Sequence, residues 1–240
     1  MPWAVNQLRL TAFPTPSAVI RTPEWWPQVT GQPADQTAHN AKQGVFEAAG
    51  AFADGVLTLR VQPLRIDWLY TPPMPEGLPA FREVLGPWAT AVDQFTPAVE
   101  RWLALEDCPD LVRLAVGSVL LDPVESREVG YRQLGRFLPA IQLDENSSDF
   151  SYQINRPRSS AIIGDLKVNR VSKWSVGKFQ AFVASDTGIT FADKSFACRL
   201  ETDVNSDPEY GRLLPKAELP TVFREFIGLT SELAERGDIP

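Results

Sequence analysis

The sequence has few of the side chains on which most catalytic and metal-binding chemistry depends. Its 240 residues include one histidine, His39, and two cysteines, Cys108 and Cys198. Zinc sites of the usual kinds need several His or Cys ligands, so they are excluded, and a Ser-His-Asp triad would depend on His39 alone. The cysteines are isolated, without a C-x-x-C spacing, and are predicted to be small core residues.

Glycine-rich phosphate loops are also missing. Neither G-x-S-x-G nor G-x-G-x-x-G occurs, and Gly177-Lys178 lacks the upstream glycine and the following Ser or Thr of a phosphate-binding loop. Nucleotide hydrolysis and nicotinamide chemistry therefore have no support in the sequence. We expect no cofactor, no metal site and no catalytic residue set.

Long apolar runs are absent as well. The longest apolar window, residues 111–121, carries Arg113 and is far shorter than the roughly 20 residues of a membrane helix. The first residues do not combine a basic segment with an apolar one, as a secretory signal would. The expectation is a soluble, cytoplasmic protein that does not associate with membranes.

The charge is unevenly distributed. The chain is 44% apolar and 22% charged, as is typical of a folded protein, and its net charge is −7. Residues 146–200 nevertheless hold eight Lys and Arg against four Asp and Glu, between two segments with an acidic excess. A local basic surface of this kind can engage phosphates or an acidic partner even on an acidic protein.

Strand patterns dominate the first third of the chain. Alternating apolar residues predict strands at 8–13, 56–62 and 64–70, and Asp54-Gly55 is a hairpin signal. Residues 15–43 are rich in Pro, Gln and Thr and read as a long surface loop. Because such a loop is unusual in a compact domain, we expect Trp25 and Trp26 to attach it to the core.

Helical periodicity follows. Apolar residues recur in steps of four and three from Phe81 to Trp102, which predicts a long core-facing helix, kinked or split into two helices at Pro87 and Pro97. Further segments predict a strand at 111–121, a short helix at 124–138 and a last helix at about 216–236. A second group of strands is predicted near 150–156, 166–171, 179–184, 189–191 and 196–205.

This order predicts an α+β fold, in which mainly antiparallel sheet packs against a long kinked helix and a C-terminal helix. We expect residues 1–240 to form a single domain. Two halves that each place strands before a helix, 1–145 and 146–240, are an alternative description.

The second group of strands carries an ordered polar pattern. In residues 196–205 apolar and polar side chains alternate, and an Asn-Arg pair occurs twice, at Asn155-Arg156 and Asn169-Arg170. If these strands are adjacent, their polar side chains would form one hydrogen-bonding patch; cross-strand pairing on a solvated face is the structural alternative. The predicted binding residues are Asn155, Arg156, Asn169, Arg170, Trp174, Arg199, Asp203 and Asn205.

Two acidic groups allow metal hypotheses. Asp203 to Asp207 begins like a calcium loop, but Pro208 stands where glycine is needed and Leu214 where a Glu should close the site, so an EF-hand is excluded. A simpler cation site at Glu201, Asp203 and Asp207 remains open. Asp149, Asp165 and Lys167 also resemble the acidic-plus-lysine set of magnesium-dependent nucleases.

The same strands carry a resemblance. Gln153 and Asn155, the segments 169–174 and 198–205, and the closing Gly237-Asp238 resemble a sporadically distributed, uncharacterised family of bacterial proteins of similar length. The resemblance is best over residues 150–240 and fainter through 52–69. It brings no biochemical activity with it, and the patchy distribution of the family implies a component of a mobile or defence-type locus.

Three functional hypotheses follow. The first is a non-enzymatic binding protein whose polar sheet face engages a protein partner from the same locus. The second is nucleic-acid binding by the basic band 153–199, with phosphates held by basic residues and a base stacked on Trp174. The basic residues of that hypothesis are Arg156, Arg158, Lys167, Arg170, Lys173 and Lys178. The third is the magnesium-dependent nuclease.

Overall fold

The computed structural model describes residues 2–18, 20, 24–74, 83–144, 146–180, 182–185, 188–191 and 194–239. These residues form four α-helices, α1 (Trp25–Thr30), α2 (Trp88–Leu103), α3 (Arg127–Leu134) and α4 (Leu219–Arg236). They also form thirteen strands: β1 (Ala4–Pro14), β2 (Gln36–Asn40), β3 (Val45–Phe52), β4 (Gly55–Gln62), β5 (Arg65–Thr71), β6 (Gly86–Pro87), β7 (Leu111–Val124), β8 (Ser151–Asn155), β9 (Arg158–Ser159), β10 (Lys167–Phe179), β11 (Phe182–Ser185), β12 (Gly188–Phe191) and β13 (Ser195–Ser206).

Eleven of the strands form one antiparallel sheet. Its order is β2-β3-β4-β5-β1-β7-β13-β10-β8, with β6 beside β1 and β9 beside β10, while β11 and β12 form a separate hairpin. The first strand of the chain lies in the middle, between β5 and β7. Because β7 also pairs with β13, strands from before and after residue 145 share the sheet.

All four helices pack against the same face of this sheet. The ring of Trp26 in α1 stacks on Trp68 of β5, and the ring of Phe95 in α2 stacks on Tyr70 of the same strand. Helix α4 contacts β7, β13 and β10, and α3 contacts β13 and β10. The predicted α+β fold, mainly antiparallel and with a C-terminal helix, is confirmed. No helix in the described ranges is long and apolar enough to cross a bilayer.

The paired tryptophans attach the N-terminal loop to the core as predicted. Trp25 and Trp26 are buried, and the Trp25 indole N–H donates to Asp107 at 2.9 Å. The segment is more ordered than its composition predicts, because it contains α1 and the exposed edge strand β2.

The helix predicted from Phe81 begins later. Gly86 and Pro87 pair with β1 as the short strand β6, so α2 starts at Trp88. Pro97 lies inside this one continuous helix, and the alternative of two abutting helices is wrong. Phe81 lies outside the described residues.

The helix predicted at 124–138 is shorter than expected. Strand β7 extends to Val124, and the side chain of Ser126 then caps α3 by accepting a hydrogen bond from the Val129 N–H at 3.3 Å. Strand β10 is longer than predicted and ends at Phe179.

Gly237 ends α4 in a position that only glycine fits. Its φ is +78°, its N–H donates to Leu233, and an added Cβ would lie 2.1 Å from the carbonyl oxygen of Phe137. The next residue, Asp238, donates its N–H to that same oxygen at 2.8 Å. The end of the helix is therefore held against the chain after α3.

Substituting each of two glycines of this region by alanine tests that fit. Gly237→Ala is expected to lower the free energy of unfolding by about 2 kcal/mol or more, because of the clash and the positive φ. Gly228→Ala, at an exposed helical position where an added Cβ meets nothing within 4 Å, is expected to raise it by about 0.5–1 kcal/mol. Urea unfolding followed by circular dichroism measures both, and a loss at Gly237 no larger than the change at Gly228 would contradict this packing.

Candidate functional site on the open face of the sheet

The face of the sheet opposite the helices carries the polar pattern. Along β10, Val168, Arg170, Ser172 and Trp174 are buried on the helix side, while the residues between them are partly exposed on the other side. The same alternation runs along β13, where Leu200 and every second residue before and after it face the helices. We call the side away from the helices the open face.

A chain of side-chain amides crosses the open face. The Asn155 amide nitrogen donates to Asn169 at 2.8 Å, that of Asn169 donates to Asn205 at 3.3 Å, and that of Asn205 donates to Asp203 at 2.8 Å. Asn169 and Asn205 are direct cross-strand partners, which places their side chains together. Arg113 of β7 joins the chain by donating to Asn205 at 3.3 Å. We call these five side chains the amide ladder.

Next to the amide ladder lies a groove with a volume of about 230 Å³. Its floor includes Gly117 of β7, which pairs on one side with Asp203 and on the other with Arg9. Further residues of β7 and residues on β1, β8, β10 and β13 form the rest of its lining, among them Gln7, Gln153, Lys173 and Glu201. Gly117 has no side chain, so the floor of the groove stays open. The Arg9 guanidinium lies over this floor, and an added Cβ at Gly117 would lie 3.2 Å from Arg9 Nη2.

The charges of the groove are only partly balanced. Glu201 forms ion pairs with Lys173 at 3.6 Å and with Arg199 at 3.3 Å. Arg9 has no ion pair within the described part of the chain, and its Nε is buried without a hydrogen-bond partner. A partly buried guanidinium without an acceptor costs free energy, so this is where the open face lacks a partner.

Five of the predicted binding residues therefore lie on the open face, four of them joined in the amide ladder. Asn155, Asn169, Asp203 and Asn205 belong to it, and Arg199 lies farther along β13. The placement of the other three, Arg156, Arg170 and Trp174, differs from the prediction.

Trp174 is a core residue rather than a surface residue. It has no exposed area, its ring stacks on Phe137 with centroids 5.7 Å apart, and its indole N–H donates to Ser172 at 3.0 Å. Its parity along β10 places it on the helix side, so its prediction as a binding residue is wrong.

Arg156 and Arg170 also lie on the helix side. Arg156 pairs with the buried carboxylate of Asp238, which also accepts a hydrogen bond from the Tyr152 hydroxyl at 2.8 Å. Arg170 is fully buried and lies 3.5 Å from Glu232 of α4. These arginines connect strands to the last helix and are not part of the exposed patch.

The pKa directions agree with this structural role. The hydrogen bond from Arg156 holds the pKa of Asp238 below its usual value, so the carboxylate stays charged. Burial, and then the nearby charge of Arg158, lower the pKa of Arg170. Arg158 itself forms a bidentate pair with Glu232, at 2.8 and 3.1 Å.

The basic band is consequently divided between two sides of the sheet. Arg156, Arg158 and Arg170 are directed to carboxylates near the end of α4, whereas Lys173 is on the open face beside Glu201. With Trp174 buried, these side chains do not form the basic surface with a stacking ring that nucleic-acid binding by this band requires.

The acidic and thiol groups do not assemble into a site either. The described residues contain no group of three or more His, Cys, Asp or Glu side chains able to hold a metal ion, and Asp165 pairs with Arg212. Asp207 accepts from the Glu209 N–H at 2.9 Å, as the cap of a short helical turn. Cys108 and Cys198 are buried as predicted, and burial raises the pKa of each thiol to about 12.

Sequence reasoning missed three residues of the open face, Arg9, Arg113 and Gly117. They lie on β1 and β7, far in sequence from the second group of strands. The alternation of β1 already predicts Arg9 on a polar face, but only the strand order places β1 next to β7 and one strand away from β13.

No family model, curated protein or solved structure matches the chain. The open face is accordingly interpreted from its own geometry.

The role of Asp238 can be tested through pH. Asp238→Asn is expected to lower the free energy of unfolding by about 2 kcal/mol at pH 7, because Arg156 and Tyr152 lose a charged acceptor. The folded-state pKa is depressed, so this stabilisation is complete above the unfolded value of about 3.9 and is lost as the pH falls through the folded-state pKa. The difference from wild type should therefore shrink below about pH 4.

Urea unfolding at a series of pH values measures this, with Asp165→Asn as the control because Asp165 is an exposed carboxylate paired with an exposed arginine. A pH-independent difference at Asp238, or an equal effect at Asp165, would refute the assignment.

Proposed function

We propose that this protein is a non-enzymatic binding protein that holds a protein partner on the open face of its sheet. The observation that carries the proposal is the amide ladder beside an incompletely paired groove, on a face that no helix of the described residues covers. The partner is another product of a mobile or defence-type bacterial locus, a proposal that rests on the resemblance of residues 150–240.

The chemistry of the open face suits a protein surface. The asparagine amides each carry donors and acceptors, and hydrogen bonds between strands hold them in one row. A partner that meets such a row finds fixed polar groups and therefore loses little side-chain freedom on binding. Opposite charges lie close together here, which favours a partner with a matching pattern over a uniformly charged polymer.

The size of the face is sufficient. The sheet path from β2 to β8 has nine strands, and neighbouring strands are about 4.8 Å apart, so the face is about 40 Å wide. A standard protein interface buries about 800 Å² on each partner. The amide ladder and the groove would occupy its centre, where fully desolvated polar contacts contribute most to affinity.

Position-dependent cross-linking tests the proposal. A photoreactive phenylalanine analogue at Val171, between Asn155 and Asp203 on the open face, is expected to cross-link one protein in cells that naturally make this chain. The same analogue at Thr221, exposed on α4, should not give that product. Mass spectrometry identifies the protein, which is then purified.

Titration of the purified partner measures how much a substitution on the open face weakens binding. Asp203→Ala is expected to weaken binding about tenfold or more, the effect of a central polar contact. Asp165→Ala, which removes an exposed carboxylate in the loop before β10, should leave the affinity unchanged. Equal cross-linking from Val171 and Thr221, a product that is nucleic acid, or full affinity of Asp203→Ala would overturn the proposal.

A further inference from the structure

The groove beside the amide ladder contains a cation that lacks its counter-charge. Arg9 extends from β1 over Gly117, close enough that a Cβ on Gly117 would lie 3.2 Å from Nη2 and 3.5 Å from Nε. The Nε atom is buried and has no hydrogen-bond partner. The guanidinium carries five N–H donors and no acceptor, so a donor that is buried without a partner calls for an added acceptor.

The neighbouring carboxylates are already engaged. Glu201 contacts Lys173 and Arg199, and Asp203 accepts from the Asn205 amide at 2.8 Å. The lining holds Arg9 and Lys173 against Glu201 and Asp203, but Glu201 is shared between Lys173 and Arg199, and neither carboxylate forms an ion pair with Arg9. The guanidinium of Arg9 is therefore the group in the groove that an added carboxylate would pair with.

We infer that the groove accepts the carboxylate of an aspartate or glutamate side chain of the protein partner, with Arg9 as its principal donor. This inference rests on the proposed function and names the group by which the partner is anchored. The planar guanidinium matches a carboxylate in shape and in the number of donors. The amides of Gln7 and Gln153, which also line the groove, supply further donors to the same occupant.

The size of the groove favours a side chain over a free metabolite. Its volume of about 230 Å³ corresponds to roughly eight water molecules at about 30 Å³ each. Sites for small-molecule ligands usually have volumes of about 300–1,000 Å³ and enclose most of the ligand. A carboxylate on a short apolar stem fits, while the rest of the partner lies on the face around it.

Its charge favours a carboxylate over a phosphate. A phosphate ester brings between one and two negative charges close to Glu201 and Asp203, whereas a carboxylate brings one. Because Arg9 is a single cation without an ion pair and two carboxylates already line the groove, one carboxylate matches it, whereas the larger charge of a phosphate is repelled by Glu201 and Asp203.

A titration with a small probe tests the inference without the partner. The probe is N-acetyl-glutamate N-methylamide, which presents a glutamate side chain between two neutral peptide groups, and the signals are the Arg9 Nε–H and Gly117 N–H resonances in ¹H–¹⁵N spectra. Both are expected to shift and saturate with millimolar affinity. The glutamine analogue of the probe, which lacks the charge, and methyl phosphate should bind at least about tenfold more weakly.

Matched substitutions show whether Arg9 is responsible. Arg9→Gln and Arg9→Lys should each weaken probe binding about tenfold, because the first removes the charge and the second the planar donor pair. Gly117→Ala should also weaken it, since the new Cβ displaces the guanidinium. The control is Arg60→Gln, which changes an arginine on the same sheet that is already paired with Glu47.

The outcomes separate the two proposals. The carboxylate anchor is overturned if neither resonance shifts up to 100 mM probe, which is roughly a hundred times a millimolar Kd. It is also overturned if the glutamine analogue or methyl phosphate binds as well as the glutamate probe, or if Arg9→Gln binds the probe like wild type. It also fails if the purified partner binds Arg9→Gln with full affinity while Asp203→Ala loses it, and in that case the open-face proposal stands. Failure of cross-linking from Val171, with normal probe binding, would instead remove the protein partner and leave the carboxylate site.

Discussion

The pairing of β13 with two neighbours decides which side chains lie under the helices and which lie on the open face. Strand β13 pairs with β10 along its whole length and with β7 on its other edge, so three long strands share one register. A slip of one residue would exchange the two faces and bury Glu201 and Asp203 under α4. The same register places Gly117 opposite Asp203 and thereby forms the groove beside Arg9.

This register explains the repeated Asn-Arg pair. Neighbouring residues of a strand point to opposite faces, so Asn155 and Asn169 lie in the amide ladder, while Arg156 and Arg170 are directed toward acidic residues near the end of α4. Arg156, Arg158 and Arg170 are thus the basic half of an ion-pair system that attaches α4 to the sheet. In the two Asn-Arg pairs, the arginines therefore stabilise the fold, and the asparagines are available for recognition.

The sequence predicted the features that depend on local periodicity. The α+β class and the alternation along 196–205 follow from local spacing, and the burial of Trp25 and Trp26 follows from the length of the loop that carries them. The placement of Trp174 and Arg170 was mistaken because a strand pattern shows that two faces exist but does not show which face the helices cover. Arg9 and Gly117 were missed because their alignment with Asp203 across β1, β7 and β13 arises from strand order, which connects residues about 100 to 200 positions apart.

Thiol alkylation of cysteines introduced into β10 shows whether the two faces of this strand have opposite environments. Both native cysteines are buried, so the wild-type protein is expected to react slowly and to give a low background. A cysteine at position 173 lies on the open face, and one at position 172 lies under the helices. The folded Lys173→Cys variant is expected to be alkylated fast, and Ser172→Cys is expected to stay protected until the protein unfolds. Protection of both would mean that the open face is covered, and equal reactivity would contradict the sheet register.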